Sequence, residues 1–508
     1  MSLFLCYDLK GIQQYIFQIP KLKCCIGGSR QIDSFDREEA AEIAKSFDGV
    51  SRIYSGGGKG AFECASEQSL AGLKDELIDR ARLKGLTIRF GISEDYLTAA
   101  REISETYCYQ PDSLEGPPCS VSGLYPVLGK VHPLIRKRLE LGGEHGEESP
   151  VEGEFLKALR TEFRNPELSF FYNVESRDEE GREGARALGR RNRWAVVCMD
   201  GNDMGSQFLA FARSVSADPG EARKQWSAWL PEMSKSLDEC TRAAATAGMI
   251  EVARQYLGRK EHSGTLPLRP LIVGGDDVTI LVHCSYALLF CRTVMAKFNE
   301  YSRKFAHLWR GTGGELTISA GILYAPVTLP LHSALNFTEM LLASAKTRGR
   351  DLRGKNENCA SPACLDWESV TEGLLVSPNI RRQREFIFSD EENGMQVELT
   401  SRPYSLDELD QLEKEMPLWE KLPRNIQYQF HPALLAPKDK RFAFYARLRK
   451  NYPEQAAALQ EPLEKVIDSY GSAWQVRGSV MKTRVLDILL LKQEETRLQK
   501  PTIPDEEE

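Results

Sequence analysis

No stretch of the sequence reaches 18 uninterrupted apolar residues, the length a membrane-crossing helix needs, so no membrane span is expected. The first residues, Met1-Ser2-Leu3-Phe4-Leu5-Cys6-Tyr7-Asp8, lack a basic n-region and meet an acid at once, which argues against a secretory signal. Positive charge is not in excess either. Lys and Arg number 66 against 73 Asp and Glu, for a net charge of −7. That excludes a globally basic nucleic-acid binder and leaves room only for a local basic groove. The 12 cysteines are scattered through apparent strands and helices, with no disulfide framework. They read as reduced thiols, and the expected location is the cytoplasm.

What is present is a chain of 508 residues, more than one core usually supports, so three or four domains are expected. Its centre is Leu271-Ile272-Val273-Gly274-Gly275-Asp276-Asp277-Val278-Thr279-Ile280-Leu281-Val282. Two runs of strand formers flank a glycine-rich turn, the pattern of a β-hairpin with paired carboxylates at its tip. Adjacent aspartates repel, and a cation that joins them relieves the repulsion. Mg²⁺ and ions like it take carboxylate oxygens together with substrate phosphates. A polar surface turn accounts equally well for this segment taken alone.

Upstream, Trp194-Ala195-Val196-Val197-Cys198-Met199 is an apolar run of strand length that ends in Asp200-Gly201-Asn202-Asp203-Met204-Gly205. A strand here beside the hairpin brings Asp200 to Asp276 and Asp277 at one sheet end. A strand-end carboxylate, the carbonyl of Gly201 just after it and the hairpin acids compose a two-metal phosphoryl-transfer site. The other reading is a buried strand that runs into an ordinary Asp/Asn turn.

Taken in order, residues 1–105 read as strand, helices, hairpin, helix, strand. The hairpin spans Arg52 to Cys64, with Gly56-Gly57-Gly58-Lys59-Gly60 at its turn. The same layout recurs over 191–375, which makes an internal repeat. The first copy has lost the hairpin acids and keeps Asp8 alone, so it is not expected to bind metal. Gly56–Gly60 beside Lys59 is a candidate phosphate cradle, but no helix follows it as a P-loop requires. Residues 106–190 form a connecting region. There Cys119-Ser120-Val121-Ser122 has the form of half a zinc knuckle, and Cys108 and Cys119 fall short of four ligands. The charged segment Ser176–Gly184 reads as a loop, and Arg186, Arg190, Arg191 and Arg193 follow it. In the second copy we expect a helix over 225–256, a helix over 286–308, a strand over 315–323 and a helix over 331–347. Lys346, Arg348 and Arg350 then stand at a helix C-terminus, where they complement the dipole or grip a triphosphate. Residues 395–500 read as helical, opened by a capping box at Ser405 and Glu408, and Pro501–Glu508 reads as an acidic tail.

With both units laid out, the chain resembles the large polymerase subunit of type III CRISPR effector complexes. The segments that carry the resemblance are Asp8-Leu9-Lys10-Gly11-Ile12-Gln13-Gln14-Tyr15-Ile16-Phe17, then Lys21-Leu22 and Gly27-Gly28-Ser29, Asp200–Gly205, Gly274-Gly275-Asp276-Asp277, Ala345-Lys346 with Gly349-Arg350, and Arg402-Pro403-Tyr404-Ser405-Leu406. The resemblance implies an α+β fold with two ferredoxin-like palm domains, of the kind found in nucleotidyl cyclases, and a C-terminal helical domain. It implies that Asp200, Asp276 and Asp277 are catalytic and, with Gly201, hold two Mg²⁺ or Mn²⁺ ions. Gly201, Asn202, Asp203, Gly205, Gly274, Gly275, Lys346 and Arg350 would bind a nucleoside triphosphate, ATP first among them. The product would be a cyclic oligonucleotide messenger in antiviral defence, and the partners guide RNA and the backbone subunits of such a complex, or a second copy of the chain. The chain departs from the family in three places. Asn202 stands where an Asp is frequent, with Asp203 displaced by one. No His is followed by Asp, so no nuclease is implied, and the zinc cysteines are incomplete. Two other functions fit parts of the pattern: a non-catalytic large subunit of an RNA-guided complex, and a diguanylate cyclase-like enzyme. The intact acid pair argues against the first. The duplicated palm and the absence of Glu-Phe after Gly-Gly-Asp argue against the second.

Overall fold

The computed structural model describes residues 3–19, 21–102, 105–107, 118–122, 131–143, 146–172, 193–259, 264–356, 359–371, 376–390, 395–434, 436, 438–459, 474–477 and 480–495. Cys108, Ser176–Gly184, Arg186, Arg190, Arg191 and the acidic tail lie outside them.

The first sheet is built from β1 (Leu3–Leu9), β2 (Val50–Gly56), β3 (Lys59–Cys64), β4 (Ile88–Ser93) and β5 (Glu105–Tyr107) in the order β2-β3-β1-β4-β5. Beyond the two-stranded ladder of β6 (Ser169–Phe170) and β8 (Thr265–Leu266), a second sheet contains β7 (Arg193–Gly201), β9 (Leu268–Gly274), β10 (Asp277–His283), β11 (Ile318–Pro326) and β12 (Cys364–Ser369). Its order is β9-β10-β7-β11-β12, with β15 (Tyr404–Ser405) beyond β12. β2-β3-β1-β4 and β9-β10-β7-β11 are the same spatial order, and in chain order each set has helices after its first and third strands and a hairpin between its second and third. The repeat expected from the layout is therefore present as two ferredoxin-like palms.

Both central strands are buried on both faces, and successive side chains enter different cores, as the two-residue period of a strand dictates. Phe4 and Cys6 join one cluster with Ala195, Val197 and Met199, and Leu5, Tyr7 and Leu9 join another with Trp194, Val196 and Cys198. The clusters run through both palms, so the two sheets share their cores. A 39-residue helix, Pro219–Leu257, covers the second sheet and packs on Ala287–Ser302.

Some expected elements shift. The helix Leu22–Ser34 falls where only scattered motif residues were legible. Gly27 and Gly28 sit in its interior, where glycine costs helix stability. A Cβ on Gly27 would lie 2.0 Å from the Arg138 carbonyl oxygen, so the glycine permits close contact with the helix Pro133–Leu141. The strand expected over 315–323 occupies 318–326. The helix expected to end at 347 runs to Arg353, which moves Lys346 and Arg348 out of its last turn. The region 395–500 is not wholly helical. The capping box at Ser405 and Glu408 is formed, but β13 (Ile387–Asp390), β14 (Met395–Glu398), β16 (Trp474–Arg477) and β17 (Val480–Thr483) make a four-stranded sheet. The apolar–polar alternation of Trp474-Gln475-Val476-Arg477 is the strand signal there.

Buried ions join distant segments. Arg382 bridges Asp366 and Glu368, and Arg402 bridges Glu368 and Asp487. Arg193, the first residue of β7, pairs with Glu494 at 3.1 Å. Between the palms, Glu152 takes Arg30 at 2.7 Å from one side and Arg269 at 2.8 Å from the other.

In the first palm a π-helical turn, Phe35–Glu39, continues the helix Leu22–Ser34. Its Asp36 is buried, accepts the Tyr7 hydroxyl at 2.9 Å, and is pushed up from 3.8 to about 7 by burial. Between those two values the folded chain holds a proton that the unfolded chain has released. The stability this confers is complete below pH 3.8 and is lost as pH rises through about 7. Asp36→Asn is expected to flatten that part of the profile, read as the difference in thermal midpoint from the parent chain between pH 5 and 8. Equal slopes for the two chains would show that Asp36 does not titrate there.

Candidate active site

β7 and β10 pair so that Asp200 lies opposite Asp277, and one turn of chain separates β9 from β10. That turn is Gly275-Asp276, with Gly275 at φ +62°, a conformation open to glycine and costly for most other residues. Gly201 continues β7 past Asp200. Its N–H donates to the Asp276 carbonyl at 3.2 Å, and a Cβ on it would lie 2.9 Å from Asp276 Cβ. Strand end and hairpin tip therefore meet because residue 201 has no side chain. The helix Pro219–Leu257 supports the tip: Thr241 Oγ1 donates to the Gly275 carbonyl at 2.6 Å, and Asp238 Oδ1 accepts the Gly275 N–H at 3.2 Å.

The charges confirm that the acids crowd. Burial, followed by the neighbouring Asp200 and Asp277, pushes the Asp276 carboxyl up to about 7. Burial and Asp200 push Asp277 to about 6, against the pull of Lys346 and Lys59. Lys346 donates to Asp200 Oδ2 and, at 2.8 Å, to the Gly201 carbonyl. Its ammonium stands in for a cation between the two oxygens proposed as metal ligands. Among the described residues no three His, Cys, Asp or Glu side chains are already arranged as a metal cage. A crowded, solvent-reachable acid cluster, a strand-end carbonyl and an ammonium near both nevertheless fit a hard divalent ion.

The other expected site residues divide. Gly274 closes the ladder opposite Asp277. Asn202 is buried and tied to Thr317 through its backbone N–H and Nδ2, both at 2.8 Å. Asp203 caps the helix Met204–Ser214 in the left-handed region, and its carboxylate is taken by Arg353 Nη1 at 2.6 Å and the Ser361 N–H at 2.7 Å. Both residues anchor the turn after β7 and have their polar groups engaged there. Gly205 lies in that helix's first turn with open space where a Cβ would be. Arg350 is exposed and donates to Thr347 at 3.1 Å.

One residue missed in the sequence, Glu339, and one named only in the first palm's turn, Lys59, complete the surroundings. Glu339, seven positions before Lys346 and so on the same helix face, raises Asp277. The first palm supplies Lys59. Its register partner is Asp8, just as Asp277 pairs with Asp200, so the lysine occupies the degenerate copy of the second acid's position. Asp8 itself pairs with Arg89. The two hairpin tips line one cleft of about 1510 Å³, with Gly56, Gly57 and Lys59 from the first palm and Gly274–Asp277 from the second. In the connecting region, burial raises the Cys119 thiol, but hydrogen bonds from Ser122, His132 and Val121 draw it down to about 7. Ser122 thus bonds the sulfur from the position a second knuckle cysteine would hold.

Residues 193–356 match the family model described as Cas10/Cmr2, second palm domain. A comparison with curated proteins gave no match. Among solved structures, the fold is similar to the Csm1-Csm4 cassette in complex with pppApA, with TM-score 0.52, 14% identity, and 97% of this chain and 69% of that chain covered. The cassettes with cA4 (0.51, 13%, 97% and 70%) and with AMPPNP (0.51, 14%, 98% and 70%) are similar too. At such identities the likeness is one of fold. Among the described residues no helix is long and apolar enough to cross a membrane. The chain resembles the large polymerase subunit of type III CRISPR effector complexes, and its residues 193–356 are similar to the second palm domain of Cas10/Cmr2.

Proposed function

We propose that the chain is a metal-dependent nucleotidyltransferase that joins ATP into cyclic oligonucleotide messengers in type III CRISPR defence. The observation that carries this is the meeting of Asp200 and the Gly201 carbonyl, at the end of β7, with Asp276 and Asp277, which line a cleft between the two palms. The similar cassettes were crystallised with AMPPNP, pppApA and cA4, which are an ATP analogue, a linear adenylate and a cyclic one. The domain division 1–105, 106–190, 191–375 and 395–500 belongs to the same proposal. So do guide RNA, backbone subunits and a cytoplasmic location.

In this reading Asp200, Asp276, Asp277 and the Gly201 carbonyl hold two Mg²⁺ or Mn²⁺ ions. Bound there, the ions neutralise triphosphate charge and lower the pKa of an attacking hydroxyl. Gly274 and Gly275 leave the backbone open to the phosphates. Lys346 releases Asp200 and turns to the departing pyrophosphate, with Arg350 one helical turn on. The acceptor's 3′-oxygen attacks the α-phosphorus, a new P–O bond forms, and the bond to the β-phosphate oxygen breaks as pyrophosphate leaves. Repetition and ring closure give the cyclic product without a protein nucleophile. Across the cleft, Lys59 and the Gly56–Gly60 turn face the acceptor.

Incubation of the chain with labelled ATP or GTP and Mg²⁺ or Mn²⁺, with products read by mass, tests the proposal. Phosphodiester-linked adenylates are expected. No such product from either triphosphate, with target and guide RNA present, would leave the non-catalytic subunit as the better reading.

A further inference from the structure

The π-helical turn Phe35–Glu39 is bonded to one hairpin tip directly and to the other through one carboxylate. Asp36 reaches the first palm, where one oxygen takes the Tyr7 hydroxyl and the other takes the N–H of Gly58. Gly58, at φ +80°, is in the turn between β2 and β3. Arg37, the next residue, reaches the second palm. Its Nη2 donates to Asp238 at 3.1 and 3.3 Å, and the same Asp238 oxygen that lies at 3.1 Å accepts the N–H of Gly275. Gly275 is in the turn between β9 and β10.

Two successive residues thus end, directly or through one carboxylate, on the backbone N–H groups of equivalent turns in the two palms. In an α-helix, neighbours in sequence point about 100° apart, and the extra residue of a π-turn changes that angle and the local rise. The segment is fixed at its base as well. Arg37 Nε donates to Asp33 at 2.8 Å, and Asp33 accepts the Val151 N–H at 3.1 Å. Higher up the same helix, Ser29 donates to the Leu271 carbonyl in β9, and Arg30 meets Arg269 through Glu152. The helix Leu22–Ser34 and its π-turn therefore form a spine between the palms, bonded to β9 along its length and to both tips at its end.

We infer that Asp36, Arg37 and Asp238 are positioning residues that hold the two hairpin turns in fixed register across the cleft, so that Lys59 faces the second palm's acids. None of the three belongs to the acid cluster. Their role is to set the distance between a group bound at Gly56–Lys59 and one bound at Asp276–Asp277. Joining two nucleotides depends on that distance, since reacting atoms must be held near contact. The inference deepens the synthesis reading above and rests on it for its functional consequence. Its structural half stands alone.

The test uses the full chain with Arg37→Ala, Arg37→Lys and Asp36→Asn, and two readouts. Asp36→Asn retains the shape but has one acceptor oxygen in place of two, so either the Gly58 N–H loses its acceptor or the Tyr7 hydroxyl must turn to accept from the amide. Amide exchange is followed in peptides covering 50–64 and 268–283. Each disruptive variant is expected to speed exchange about tenfold in both peptides, because the two turns share one support. Nucleotide joining is expected to fall about tenfold in kcat, with KM for ATP and Mn²⁺ affinity within about twofold of the parent, the pattern of lost positioning. Arg37→Lys, which keeps the charge, is expected to recover part of both effects. If Arg37→Ala loosens only 268–283, and Asp36→Asn only 50–64, the turns are supported separately and the inference fails. It fails too if kcat is unchanged while exchange rises. If the parent chain makes no product, exchange alone decides the coupling, and the synthesis reading fails separately. Should Asp36→Asn not fold, Arg37→Ala decides by its effect on 50–64.

Discussion

The double replacement Asp276→Ala, Asp277→Ala is expected to abolish Mn²⁺ binding and to reduce nucleotide joining by a thousandfold or more. Both acids lie at one hairpin tip, opposite Asp200 and beside the Gly201 carbonyl, so the pair removes most of the anionic oxygen at that sheet end. Charge stabilisation by bound ions amounts to several kcal/mol, and at about 1.4 kcal/mol per decade this is roughly three orders of magnitude. Titration followed by electron paramagnetic resonance, together with product mass, measures both losses. Mn²⁺ binding at parental strength would move the site elsewhere. The same variant carries a second signature. Three crowded acids repel when no cation joins them, so in EDTA the double variant is expected to melt higher than the parent. A lower midpoint would mean that the acids serve the fold.

Lys346→Met is expected to lower kcat/KM for ATP by roughly 10- to 100-fold, mostly through KM, in line with the loss of one charged donor to phosphate. The lysine holds Asp200 and the Gly201 carbonyl. Under the proposed function, ions that took those oxygens would free it to meet the triphosphate. Because the ammonium competes for the same oxygens, Lys346→Met is expected to keep or strengthen Mn²⁺ binding. Loss of Mn²⁺ binding would contradict the role given to it. Arg350→Ala, which removes an exposed side chain bonded to Thr347, is expected to raise KM less. Steady-state rates against ATP at several Mn²⁺ concentrations separate these effects.

Much of this was legible because it is local or periodic. The apolar run before Asp200 and the two runs around Gly-Gly-Asp-Asp specify strands. The repeated order of elements specifies two like palms, and Lys59 in the first turn marks the copy without acids. What stayed hidden depends on contacts far apart in sequence. Asp203 reads as a site residue by its neighbours, yet its carboxylate is held by Arg353 and Ser361, some 150 residues on. The helix Leu22–Ser34 is obscured by two glycines, and the use of Gly27 is a close approach to Arg138, which no local pattern contains. Glu339 was within reach, since its spacing from Lys346 is two helical turns. Asp36, Arg37 and Asp238 were not, because their meaning lies in the turns they touch.

The pair Arg193–Glu494 bears on how such a protein can be cut and recombined. Arg193 begins the strand that carries Asp200 near its far end, and its carboxylate partner comes from the helix Val485–Glu495, about 300 residues later. Leaving a buried guanidinium without its carboxylate costs about 3–5 kcal/mol, a large share of a domain's stability. A fragment trimmed to 193–356 carries every acid of the site, but of the partners of Arg193 it keeps only the Tyr324 carbonyl, and it uncovers apolar surface that Val485, Ile488 and Leu489 bury. The palm that recurs as a unit in the sequence is therefore not a portable module in this chain. Swapping it between relatives succeeds only if the terminal helix travels with it.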